Sequence, residues 1–142
     1  MSAWRGLTWN LPGLASDLTA DDAMNVPVAL KTYMDGLRAH DIEMIGSSFA
    51  SDIRFVTPVR VMEREAILDF LGALYRAFPD WHYDNDPPFR REDGMFGVLW
   101  RQGGTHTGRI EFEGFPGVDA TGRTVTIPGH HFYYRVDDEG LF

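Results

Sequence analysis

The chain has 142 residues, 44% hydrophobic and 24% charged, the balance of a single soluble globular domain long enough to bury a core. A net charge of −8, with no basic run longer than Arg90–Arg91, argues against nucleic acid as a partner. Without cysteine there are no disulfides, thiolate metal sites or thiol nucleophiles, and with neither a secretory signal nor a membrane-length apolar stretch the expected location is the cytoplasm.

Residues 1–18 carry Trp4, Leu7, Trp9, Leu11 and Leu14 around Pro12–Gly13. That is too apolar for a free tail and has no clean period, so it reads as an N-terminal arm packed on the domain (residues 19–142) or on a partner subunit. Thr19 or Asp21 can cap a first helix in which Val26, Leu30, Tyr33, Met34 and Leu37 recur at steps of three and four. Pro27 is tolerated only in the first turn, so the regular part of that helix begins there. Asp41 opens a short second helix with Ile42, Ile45 and Phe49 as its stripe, and Ile53–Thr57 is an extended run stopped by Pro58. Glu63–Phe78 has the clearest helical period, with Ile67, Phe70, Leu71, Leu74 and Phe78 on one face and Pro79–Asp80 at its end.

After Pro79 the chain reads as strands: Trp81–Asp84, Phe96–Thr107, Arg109–Phe115 and Thr124–Val136, with a turn at Glu92–Gly94 and a loop over 116–122. Helices first and meandering strands afterwards predict an α+β domain: a strongly curved, largely antiparallel mixed sheet packed on three helices. Side chains along a strand alternate between faces. Strict alternation puts Phe96, Val98, Trp100, Gln102, Gly104 and His106 together, and Val125, Ile127, Gly129, His131 and Tyr133 together. Two imidazoles, His106 and His131, are thus expected to meet in an apolar interior, with His130 pointing away from it. No histidine–carboxylate chelate spacing occurs, so no metal is expected.

The order of elements resembles the SnoaL-like polyketide cyclases of the nuclear-transport-factor-2-like superfamily over roughly residues 26–140. The carriers are Phe55-Val56-Thr57-Pro58, Glu63-Arg64-Glu65-Ala66-Ile67, Ala77-Phe78-Pro79-Asp80, Gly104-Thr105-His106-Thr107-Gly108 and Thr121-Gly122-Arg123-Thr124-Val125. The resemblance implies a cone with a ligand cavity at its open end. In members that catalyse, it implies ring closure of a polyketide by aldol condensation without a cofactor. His106 matches the family's cavity histidine, whereas the position of its acid–base aspartate is occupied by His131.

An imidazole has a suitable pKa for proton abstraction beside a carbonyl. His131 and His106 are accordingly the candidate catalytic pair, and Trp100, Tyr133, Thr57, Phe55 and Tyr33 the candidate substrate-binding residues. The expected partners are a small hydrophobic or aromatic ligand and a second copy of the chain. Two alternatives stay open. One is a non-catalytic ligand-binding or dimerisation module. The other is an isomerase, dehydratase or epoxide hydrolase on the same scaffold, which would want an inward carboxylate; Asp35 and Asp69 lie off or beside the apolar stripes.

Overall fold

The computed structural model describes residues 26–58, 60–112 and 114–142, together with the backbone of residues 6–9. The elements are β1 (Gly6–Trp9), α1 (Val28–Ala39), α2 (Ile42–Ser47), β2 (Arg54–Val56), β3 (Val61–Met62), α3 (Arg64–Ala77), β4 (His82–Asn85), β5 (Phe89–Arg90), β6 (Phe96–Thr105) and β7 (Thr124–Arg135). The α+β class read from the sequence is the one observed. One open sheet runs in the order β3-β2-β1-β7-β6-β4, with β5 also on β6. Only the β1–β2 pair is parallel, so the described sheet is mixed and largely antiparallel.

Within the segment read as an arm, Gly6–Trp9 is a strand inserted between β2 and β7. A strand of four residues offers only the single alternation Leu7–Thr8–Trp9, too short a period to detect. The proposed caps Thr19 and Asp21 lie outside the described residues. The run 109–115 is another departure. Its described residues form no strand, only one isolated bridge, Ile110 with Val118.

The helices form for local reasons. Pro27 occupies the N-cap of α1, where its missing N–H costs nothing. Asp41 caps α2 by accepting from the Met44 amide at 3.0 Å. His40 ends α1 in the left-handed conformation (φ 55°), stacks on Tyr75 at 4.0 Å between ring centroids, and bonds the Trp81 carbonyl through Nε2 at 2.7 Å. The apolar faces of α1 and α3 bury Leu30, Tyr33, Leu37, Ile67, Leu71 and Leu74 against Phe96, Val98, Trp100, Phe132 and Tyr134 of the sheet. Each large apolar side chain so buried contributes about 1.5–3 kcal/mol of transfer free energy.

The β6–β7 pairing decides which side chains reach that core. Trp100 faces His130, but Gln102 faces Ile127, so Pro128 and Gly129 together oppose Arg101 alone. This is a β-bulge, and its residues suit it: proline has no ladder donor to lose, and glycine has no side chain to place. Inward positions in β7 therefore run Val125 and Ile127 before the bulge, then Phe132 and Tyr134 after it.

Candidate functional site

Between α1, α3 and the concave face of the sheet lies a cavity of about 430 Å³, within the range of small-molecule sites. Its walls are mostly apolar and aromatic: Ile67, Phe70 and Leu71 from α3, Trp100 from β6, and Ile127 and Phe132 from β7. Phe112 and Phe115 stack on each other at 4.8 Å, Phe112 meets Phe70 edge-on at 5.2 Å, and both loop rings also line the space.

One polar corner interrupts this wall. Trp81 Nε1 donates to Gln102 Oε1 at 3.1 Å, Gln102 Nε2 lies 3.0 Å from His130 Nε2, and His130 Nδ1 lies 2.9 Å from the Pro128 carbonyl. The donors and acceptors in this chain can be assigned by elimination. An indole N–H only donates, so the Gln102 oxygen must face Trp81 and its amide nitrogen must face the histidine. His130 Nε2 is then the acceptor, and the proton resides on Nδ1, where the bulge carbonyl receives it. Burial pushes the imidazole pKa below its ordinary 6.5; the Pro128 bond opposes this and His131 reinforces it. His130 is neutral at pH 7, with its basic nitrogen beside the cavity.

Below this corner the tyrosines close a second network. Trp100 Nε1 donates to the Tyr134 hydroxyl at 2.7 Å, and Tyr134 is bonded in turn to Tyr33. The Tyr75 and Tyr83 hydroxyls are 2.8 Å apart. Burial raises the pKa of Tyr33 and Tyr83 and brings Tyr75 to about 12, so all of them stay neutral at pH 7.

The predicted site residues separate into two groups. Trp100, Thr57, Phe55 and Tyr33 line the cavity. His131 does not: the bulge reverses its phase, and it packs on the opposite face, edge-on to Phe89 at 5.8 Å and stacked on Tyr133 at 6.0 Å. Tyr133 shares that outward face and lies under the Arg91 guanidinium, 4.5 Å from the ring centroid. His106 is buried, but away from the cavity. It stacks on Phe78 at 5.0 Å and bonds Thr121 Oγ1 through Nδ1 at 3.0 Å. The two imidazoles expected to converge are thus apart, and the inward histidine is His130. Gln102, Trp81 and Arg60 were not singled out by sequence reasoning. The signal that could have found His130 is Pro128–Gly129 inside a strand, since proline and glycine there mark a bulge and a bulge flips every later residue.

Among the described residues no carboxylate lines the cavity, and no group of three or more metal-ligating side chains occurs. Asp35 and Asp69 are exposed. No described helix is long and apolar enough to cross a membrane.

Helices packed on an open mixed sheet, with a pocket between them, define this as an α+β protein of the nuclear-transport-factor-2-like fold. More narrowly, residues 30–141 match the SnoaL-like domain, and the chain belongs to that family. Similar solved structures include AclR from Streptomyces galilaeus, named as a candidate hydroxylase (TM-score 0.62, 19% identity, covering 87% of this chain and 71% of that one). Another is a candidate polyketide cyclase from Xanthomonas campestris (0.58, 20%, covering 84% and 83%). An NTF2-like protein of unknown function from Exiguobacterium is similar at 0.62 and 19%, covering 80% and 91%. At these identities the likeness is one of fold. No curated protein matches the sequence.

Proposed function

We propose that this chain binds a flat, largely apolar ketone in the cavity and catalyses cofactor-independent proton transfer beside its carbonyl, with His130 as base. The observation that carries this reading is a neutral imidazole whose unprotonated nitrogen adjoins an otherwise apolar pocket. Gln102 has two amide hydrogens, and the bond to His130 uses one. A substrate carbonyl can accept the other. His130 Nε2 has one lone pair, so its bond from Gln102 gives way as it takes the α-proton: the C–H bond breaks, an N–H bond forms, and the freed Gln102 amide turns to hold the enolate oxygen. Attack of the enolate carbon on a second carbonyl closes the ring, and the imidazolium returns its proton to the new alkoxide. No cofactor is required for that sequence, and the cyclase neighbours are consistent with it.

The test is α-hydrogen exchange in deuterated buffer, followed by proton NMR on fused-ring aromatic ketones and 1,3-diketones, with thermal shift reporting binding. His130→Phe is expected to slow exchange by about 10²-fold or more while leaving ligand-induced stabilisation largely intact. Exchange that survives in the variant rules out His130 as base.

A second reading, ligand binding or self-association without turnover, is favoured by one detail: the His130 lone pair already receives a hydrogen bond from Gln102. Stabilisation by ketones with no exchange at any pH would select it.

A further inference from the structure

Arg60 is the only charged side chain among the described residues lining the cavity, His130 being neutral. It is exposed, whereas His130 and Trp100 are buried, so it belongs to the cavity's outer end. Its backbone is fixed by a tight turn. The Thr57 amide donates to the Arg60 carbonyl at 2.9 Å, and the Arg60 amide donates to Thr57 Oγ1 at 3.1 Å. The guanidinium carbon lies 5.9 Å from the Phe112 ring centroid, and a Cβ built on Gly114 would be 3.9 Å from Nη1. The side chain therefore reaches from the β2–β3 turn across to the Phe112–Phe115 stretch, over the opening.

Two surface arginines elsewhere are neutralised locally. Arg101 pairs with Asp84 and Asp86, and Arg109 with Glu111 and Asp119. Among the described residues no carboxylate lies in salt-bridge range of Arg60. What sets Arg60 apart on this chain of net charge −8 is position: a guanidinium with no described counterion stands at the lip of an apolar cavity. Its planar fork matches a carboxylate in a two-bond geometry that lysine cannot reproduce, and its packing on Phe112 orients the fork.

We infer that the natural ligand is an amphiphile: a fused-ring body held by the aromatic walls and a carboxylate held at the opening by Arg60. This rests on the proposed reading of the cavity as a ligand site and adds the class of ligand to it. The polar demands then sit at opposite ends, an acid outside and a carbonyl at the Gln102–His130 corner. The remainder of the wall requires nothing but apolar surface.

Calorimetry with a matched pair, anthraquinone-2-carboxylate and its methyl ester, separates the two levels of the argument. Wild type should bind the acid roughly fivefold more tightly than the ester, the size that a partly exposed ion pair supports. The preference should shrink at high salt. Arg60→Gln should equalise the two by weakening the acid alone, and Arg60→Glu should reverse the order. Equal affinity of wild type for acid and ester overturns the inference while leaving the cavity reading in place. Equal weakening of both probes in Arg60→Gln also overturns it and assigns the side chain to packing on Phe112. If neither probe binds, or if the cavity-filling Ile127→Trp leaves binding unchanged, the cavity reading fails and the inference fails with it.

Discussion

At the scale of single residues, the chemistry of the polar corner is set by one indole hydrogen. Because Trp81 can only donate, Gln102 must present its nitrogen to His130, and His130 must stay unprotonated at Nε2. That assignment fixes the sign of the pH dependence. With the folded pKa lowered, the unfolded chain binds more protons between that value and about 6.5, so stability is complete above that pH and falls as the solution is acidified toward the folded value. Melting curves between pH 7.5 and 5 should show this decline in wild type and a shallower one in His130→Phe. Gln102→Glu tests the assignment more sharply. A carboxylate still accepts from Trp81 and now accepts from a protonated His130, so the imidazole titration seen by NMR should move upward. A midpoint that stays put or moves down would contradict the assigned chain of donors.

Elements explain what the sequence disclosed and what it hid. The three helices were legible because each long apolar stripe meets a core, and α+β class followed from their order. Strand faces were legible only as far as the alternation stayed intact, and one extra residue at Pro128–Gly129 exchanged His131 for His130. The segment Gly104–Gly108, one carrier of the family resemblance and the setting of His106, joins β6 to the end of α3. The Thr107 and Gly108 amides donate to the Ala77 carbonyl at 3.0 and 2.9 Å, and the Thr105 amide donates to Asp80 Oδ1 at 2.7 Å. That last bond holds the exposed Asp80 carboxyl below its ordinary pKa. A Cβ on Gly108 would sit 2.4 Å from the Arg76 carbonyl oxygen, which is backbone and cannot step aside cheaply. Gly108→Ala should therefore cost about 1–3 kcal/mol by chemical denaturation, the range for an overpacked contact. A neutral result would mean that the junction is loose.

For the molecule as a whole, the back of the cavity is also the place where distant parts of the chain are fastened together. Tyr33 lines the cavity with one side, and against it Phe142 packs edge-on at 5.6 Å, fully buried, with Tyr134 at 5.4 Å and Phe49 at 6.4 Å. Two backbone bonds hold that residue in place, from the Phe142 amide to the Ser48 carbonyl at 3.0 Å and from the Ala50 amide to the Phe142 carbonyl at 2.7 Å. No periodicity reveals such an anchor, because a single aromatic beyond a turn at 137–140 looks like any tail. The backbone bonds do not depend on the side chain, so a substitution isolates the ring. Phe142→Ala should cost about 3–5 kcal/mol, the transfer free energy of a buried phenyl plus the void it leaves, whereas Phe142→Leu should cost a fraction of that. Since Tyr33 stands between the void and the cavity, the alanine variant should also loosen the tyrosine network under Gln102 and His130, weakening probe binding as well as lowering the melting temperature. A loss of stability below about 1 kcal/mol would show that this corner frays independently of the domain. A large loss with unchanged affinity would show instead that Tyr33 holds its position without Phe142 behind it.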